Sequence, residues 1–139
     1  MSGIGIHTTV DLPFAEAVQA TRRALAAHGF GVITEIDLQA AFREKIQQES
    51  PPYTILGACN PRAALEATRL NPAVGLLLPC NVAIYEREGR VHVAAVNPQA
   101  LFATLGDHGL AGLADLAAEV RRALEATIAS LPGARAAAR

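Results

Sequence analysis

Two apolar runs, residues 75–87 and 90–96, flank the dipeptide Glu88-Gly89. A two-residue link between strand-forming runs demands an antiparallel hairpin, so local chemistry fixes at least one strand pair. Cys80, Val82 and Ile84 share one phase of the outgoing run, and Val91, Val93 and Ala95 share one phase of the return. Side chains alternate between faces along a strand, so these phases place one face of the hairpin in a core.

The rest of the chain alternates strand and helix signals. Residues 3–11 put Ile4, Ile6 and Val10 on one phase and His7 and Thr9 on the other, which predicts a half-buried strand. Asp11-Leu12-Pro13 opens a helix with Phe14, Ala17, Val18, Thr21 and Leu25 at helical spacing, closed by Gly29. Residues 30–36 form a second strand. Asp37 caps a helix with the apolar stripe Leu38, Ala41, Phe42 and Ile46, and Ser50-Pro51-Pro52 stops it. Residues 53–59 form a third strand. Asn60-Pro61 starts a third helix, with Ala64, Leu65 and Thr68 on one side, and Asn71-Pro72 ends it. Asn97-Pro98 opens a short helical turn through Leu105, and Asp107-His108-Gly109 is a loop. Leu113, Leu116, Ala117, Val120, Leu124 and Ile128 define a last amphipathic helix. The expected architecture is α+β: one domain over residues 1–131, with a mixed sheet of about five strands, the hairpin among them, and helices packed on it. Residues 132–139 are expected to fray as a disordered tail.

Composition narrows the function classes. The 139 residues carry a formal net charge of −1, and Arg22-Arg23 and Arg121-Arg122 are the adjacent basic pairs. With no Trp, two Tyr and four Phe, neither a basic stripe nor a base-stacking platform is available, which argues against a nucleic-acid partner. No apolar run reaches the roughly 18 residues a bilayer crossing needs, and the first residues show no secretory pattern. The expectation is a cytoplasmic protein without a membrane partner, its two cysteines reduced.

Those cysteines mark the candidate site. Cys59 lies in Gly57-Ala58-Cys59-Asn60-Pro61, at a strand-to-helix junction where the helix dipole favours a thiolate. Cys80 lies in Leu78-Pro79-Cys80-Asn81, on the core-facing phase and after a proline that breaks the sheet ladder. Free cysteine also serves as a small buried hydrophobe, and Asn60 is first of all a helix cap. Asn81 is harder to explain, because strands avoid Asn. His7 and His92 fall on the polar phases of their strands, His28 at a helix end and His108 in a loop. Any one of them could join a cysteine in a metal site, but no His-x-x-x-His or Cys-x-x-Cys pattern supports one. Glu35 and Asp37 share a strand face and could work as an acid/base pair, although such residues are more often a solvated strand end and a helix cap. No Gly-x-Ser-x-Gly elbow, dinucleotide fingerprint or phosphate loop is present, so no recognised catalytic set is visible.

Three segments, 29–37, 55–61 and 75–82, carry Gly-Phe-Gly-Val-Ile-Thr-Glu-Ile-Asp, Ile-Leu-Gly-Ala-Cys-Asn-Pro and Gly-Leu-Leu-Leu-Pro-Cys-Asn-Val. In order and spacing they resemble the bacterial and archaeal domain-of-unknown-function family numbered 302, over residues 10–131. The resemblance implies a small α+β domain that associates as a homodimer, with no general biochemical activity attached.

Three readings follow. In the first, Cys59, Asn60, Cys80 and Asn81 line a pocket for a small molecule or a soft metal ion, with Cu(I) suiting two thiolates. In the second, both cysteines are inert packing residues of an interaction protein. In the third, Cys59 is a reactive thiol or persulfide carrier and Cys80 its resolving partner.

Overall fold

The hairpin is the centre of the molecule. In the computed structural model, which describes residues 3–105 and 112–136, β4 (Cys80–Arg87) and β5 (Arg90–Val96) are joined at Glu88 and Gly89. Both turn residues have positive φ, 54° and 74°, as the tight turns that match strand twist require.

Around it lie β1 (Gly5–Val10), α1 (Phe14–Ala27), β2 (Gly31–Asp37), α2 (Leu38–Ile46), β3 (Tyr53–Cys59) and α3 (Pro61–Leu70). After the hairpin come α4 (Pro98–Phe102), α5 (Leu113–Ala129) and the two-residue β6 (Arg135–Ala136). The sheet order is β2-β3-β4-β5-β1-β6. Every neighbouring pair is antiparallel. The expected mixed sheet is therefore corrected to an antiparallel one. The α+β class and the five principal strands stand, with β6 added at the edge. The reason lies in the connections. A strand-helix-strand unit gives parallel neighbours only if the helix carries the chain back along the sheet. Here α2 and α3 are excursions that leave and return at the same end.

One sheet face is the core. Leu56, Val82, Ile84 and Val93 on that face are fully buried, together with Leu25 of α1 and Leu113 and Leu124 of α5. α1 lies over β2, β3 and β4, and α5 over β1 and β5. The predicted stripe of α5 is buried at all six positions. Two buried threonines, Thr21 and Thr127, donate to the carbonyls of Ala17 and Ala123, at 2.7 and 2.8 Å, which satisfies hydroxyls that would otherwise be costly inside a core.

Several local readings change. The apolar run 75–79 is not strand: Pro72–Leu77 forms a 3-10 turn, and β4 begins only at Cys80. Asn71 accepts a hydrogen bond from the Ala73 N–H at 2.9 Å and Pro72 follows at the first helical position, so the helical start outcompetes the strand signal of the leucines. α3 buries Ala63 and Ala67, while Leu65 is half exposed, so the face read from Ala64, Leu65 and Thr68 is rotated. α2 buries no residue at all. The fraying expected from Pro132 does not begin there: Arg135 and Ala136 pair with Thr9 and Thr8, covering part of the open β1 edge. The Asp107-His108-Gly109 loop and residues 137–139 lie outside the described residues. Among the described residues, no helix is long and apolar enough to cross a membrane.

Candidate functional site

Cys59 is the last residue of β3 and Cys80 the first of β4. Because α3 and the 3-10 turn return the chain to the end it left, these two residues meet. In the β3–β4 register Ala58 faces Cys80, with Cys59 one step beyond. Asn60 caps α3, its side chain accepting from the Ala63 N–H at 3.2 Å, and Pro61 takes the first helical position. Capping holds the helix N-terminus against the strand end and fixes where Cys59 sits.

Cys59, Asn60 and Cys80 line one apolar cleft of about 30 Å³. Its walls are Ala63 and Ala67 of α3, Leu116 and Val120 of α5, and Phe102 of α4. Cys80 is 8% exposed. Burial, and after it the neighbouring Cys59, push its thiol up from 9.0 to about 11, because an apolar wall cannot solvate a thiolate. At neutral pH Cys80 is a protonated thiol.

Asn81 does not join this group. It is exposed on the opposite sheet face, in register with Gly57. Of the four candidate residues the structure brings together three: Asn81 follows Cys80 within β4 and so points to the opposite face, whereas Cys59 stands at the very end of β3 and lines the cleft. On Asn81's side, Pro79 lies against Gly57: a Cβ at Gly57 would stand 2.8 Å from Pro79 Cγ and would collide with Thr34 Oγ1. Glu35 and Asp37 are likewise separated in role. Glu35 pairs with Arg22 at 2.6 Å, and Asp37 accepts from the Ala40 N–H at 2.9 Å as the α2 cap. The His28 Nδ1 donates to the Ala24 carbonyl at 2.8 Å and closes α1.

A second cluster had escaped the sequence. β1 pairs with β5, and His7 Nε2 lies 2.9 Å from His92 Nδ1. His92 Nε2 donates to the Arg87 carbonyl at 3.3 Å. That leaves His92 Nδ1 as acceptor and His7 Nε2 as donor. Tyr85 stacks on His92 with centroids 5.0 Å apart, and Tyr53 on Tyr85 at 5.2 Å. The row crosses β3, β4, β5 and β1 on the helix-free face. The only sequence signal was that His7 and His92 sit on polar phases. Their meeting depended on the β1–β5 pairing.

Burial first, and His92 second, hold His7 below its ordinary 6.5. The folded protein therefore binds this proton less readily than the unfolded chain. Its stabilising contribution is complete above about pH 6.5 and is lost as the pH falls through the lower folded value. Imidazole NMR titration is expected to show His7 titrating below 6.5. Chemical denaturation is expected to show stability falling with acid across that window, with a shallower fall in His7→Gln. A His7 midpoint at or above 6.5 contradicts this.

The model of the family described as Domain of unknown function DUF302 matches residues 6–131. The chain belongs to the DUF302 family. A crystal structure of an uncharacterized conserved DUF302 protein from Bacillus stearothermophilus shares the fold, with a TM-score of 0.81 and 27% sequence identity. The match covers 88% of this chain and 94% of that one. Among curated proteins none matches. No specific function is established for DUF302. Among the described residues of this DUF302 chain, no group of three or more His, Cys, Asp or Glu is arranged to hold a metal ion.

Proposed function

We propose that this chain is a small homodimeric, cytoplasmic binding module rather than an enzyme, and that the cleft at Cys59, Asn60 and Cys80 takes a single soft metal ion of the Cu(I) type. The observation that carries this reading is the convergence of two thiols, both free, on one apolar cleft of about 30 Å³. Pockets for metabolite-sized ligands run to roughly 300–1,000 Å³, so the volume favours an occupant of atomic size. Two sulfurs in an apolar, water-poor setting suit a soft monovalent ion and disfavour a hard one. Asn60 is occupied as a cap, which gives it a positioning role. Binding releases a thiol proton from Cys80, so affinity rises with pH.

Titration with Cu(I) under a competing chelator, followed by native mass spectrometry, tests this. One copper per chain is expected, lost in both Cys59→Ala and Cys80→Ala. An apo mass throughout overturns the metal reading.

The burial of Cys80 favours a second reading, in which both cysteines only pack. Cys59→Ala with Cys80→Ala would then lower stability and alter no binding. A reactive Cys59 has less support, because Asn60 already caps the helix end beside it. Alkylation rate against pH tests that reading directly.

A further inference from the structure

The proposed homodimer needs a surface, and the cysteine cleft is too small and too enclosed by its own helices to be one. The helix-free sheet face is different. Outward positions in the strand registers are Thr34 and Ile36 on β2, Tyr53 and Ile55 on β3, and Asn81, Ala83 and Tyr85 on β4. They continue as His92, Ala94 and Val96 on β5 and Gly5, His7 and Thr9 on β1. No residue of this set is Asp, Glu, Lys or Arg. Charge begins only at the hairpin end, with Arg87 and Arg90.

α2 flanks this face. Phe42 of α2 lines a groove of about 560 Å³ with Tyr53, Ala83, Tyr85 and Ala94, and Glu86 and Arg87 close its hairpin end. α2 is nine residues long and buries none of them, and Phe42 and Ile46 are 38% and 65% exposed. An isolated helix of that length is marginal in water, and packing of an apolar face is what normally holds one. The apolar stripe of α2 rests on β3 but is only partly covered by its own chain.

We infer that the helix-free sheet face, together with α2, is the surface on which a second copy of this chain packs, face to face about a two-fold axis. This rests on the homodimeric part of the reading above. The strand positions named above carry no formal charge, so the middle of the face meets no like-charge repulsion from its own copy, and isologous contacts require that self-complementarity. The charges of the surface, Arg87 and Arg90 at the hairpin end and Arg43, Glu44 and Lys45 on α2, lie outside that set. The area is adequate. Five strands about 4.8 Å apart, each six to eight residues long, give a sheet face of roughly 500 Å² before side-chain relief. The exposed side of α2 adds roughly 130 Å² more. With relief this approaches the roughly 800 Å² per partner typical of stable complexes. The Tyr53–Tyr85–His92–His7 row lies on the hairpin side of its centre, and aromatic side chains are enriched in interface cores.

Sedimentation across micromolar concentrations tests the surface in the full chain. Wild type is expected to be dimeric. Ala83→Arg, at the centre of the face, and the pair Ile36→Arg with Phe42→Arg, at side chains that already touch water, are each expected to weaken association by roughly tenfold or more. The pair covers the case in which Ala83→Arg fails to fold, and circular dichroism checks all variants. Leu76→Arg lies in the 3-10 turn after α3, at an 86% exposed position, and is expected to leave the dimer intact. A monomeric wild type overturns the homodimer itself. A wild-type dimer that survives the folded face variants, or that Leu76→Arg breaks, overturns this surface alone. Copper uptake is scored separately, so failure of the metal reading leaves the assignment untouched.

Discussion

Gly57→Ala is expected to destabilise the protein by about 2–3 kcal/mol, although it adds one methyl group to a strand. Alanine is ordinarily at least as good as glycine in a strand interior, because glycine loses more conformational freedom on folding. Here the space is taken. The new Cβ would come within 2.8 Å of Pro79 Cγ and collide with Thr34 Oγ1. The threonine hydroxyl can rotate away, but the proline ring is held by the strand that begins at Cys80. Relief must come from β3 and β4 moving apart at the end where Cys59 and Cys80 meet, so the cleft should loosen with the sheet. Urea denaturation measures the loss, and Thr34→Ala in the same background should recover part of it. Unchanged or increased stability in Gly57→Ala would show that the contact yields freely.

Leu56→Ala, one residue earlier, is expected to cost more, about 2–5 kcal/mol. Leu56 is fully buried and points into the core on the face that α1 covers. Truncation loses its transfer free energy and leaves a cavity that the packed sheet cannot close. Domains are commonly stable by only about 5–15 kcal/mol, so this variant approaches the margin. The midpoint of denaturation should fall with little change in slope. A loss under about 1 kcal/mol would mean that the neighbouring helices collapse into the space. The two substitutions test opposite faces of one strand: one tolerates no added atom, the other no removed one.

The fold was legible wherever the signal was local. The Glu88-Gly89 turn, the Asp37 and Asn60 caps and the six-position stripe of α5 are each written in a few adjacent residues, and each is present. Sheet direction was not local. α2 and α3 have the pattern of crossover helices, and only their packing decides whether the chain crosses the sheet or returns. That same decision determined the site. Had α3 crossed, Cys59 and Cys80 would lie at opposite ends of the sheet. The alternation rule correctly turned Cys80 inward beside Val82 and Ile84, and by the same rule it turned Asn81 away. The leucines before Pro79 misled, since a short apolar run fits a strand or a helical turn equally well. The His7–His92 pair depended on which strands became neighbours, which no window of sequence contains.

α3 is held to the body of the protein chiefly through two alanines, Ala63 and Ala67, whereas α5 buries seven residues. The area that opposes lifting α3 is correspondingly small. Regions with few buried apolar contacts open at free energies far below that of global unfolding. One wall of the cysteine cleft is thus a weakly anchored helix, whereas the sheet that carries both thiols is among the most firmly held parts of the molecule. Cys59 is already partly exposed, and access to the buried Cys80 then needs a local opening of one helix rather than of the domain. The cleft can admit an occupant, or release one, while the core remains closed.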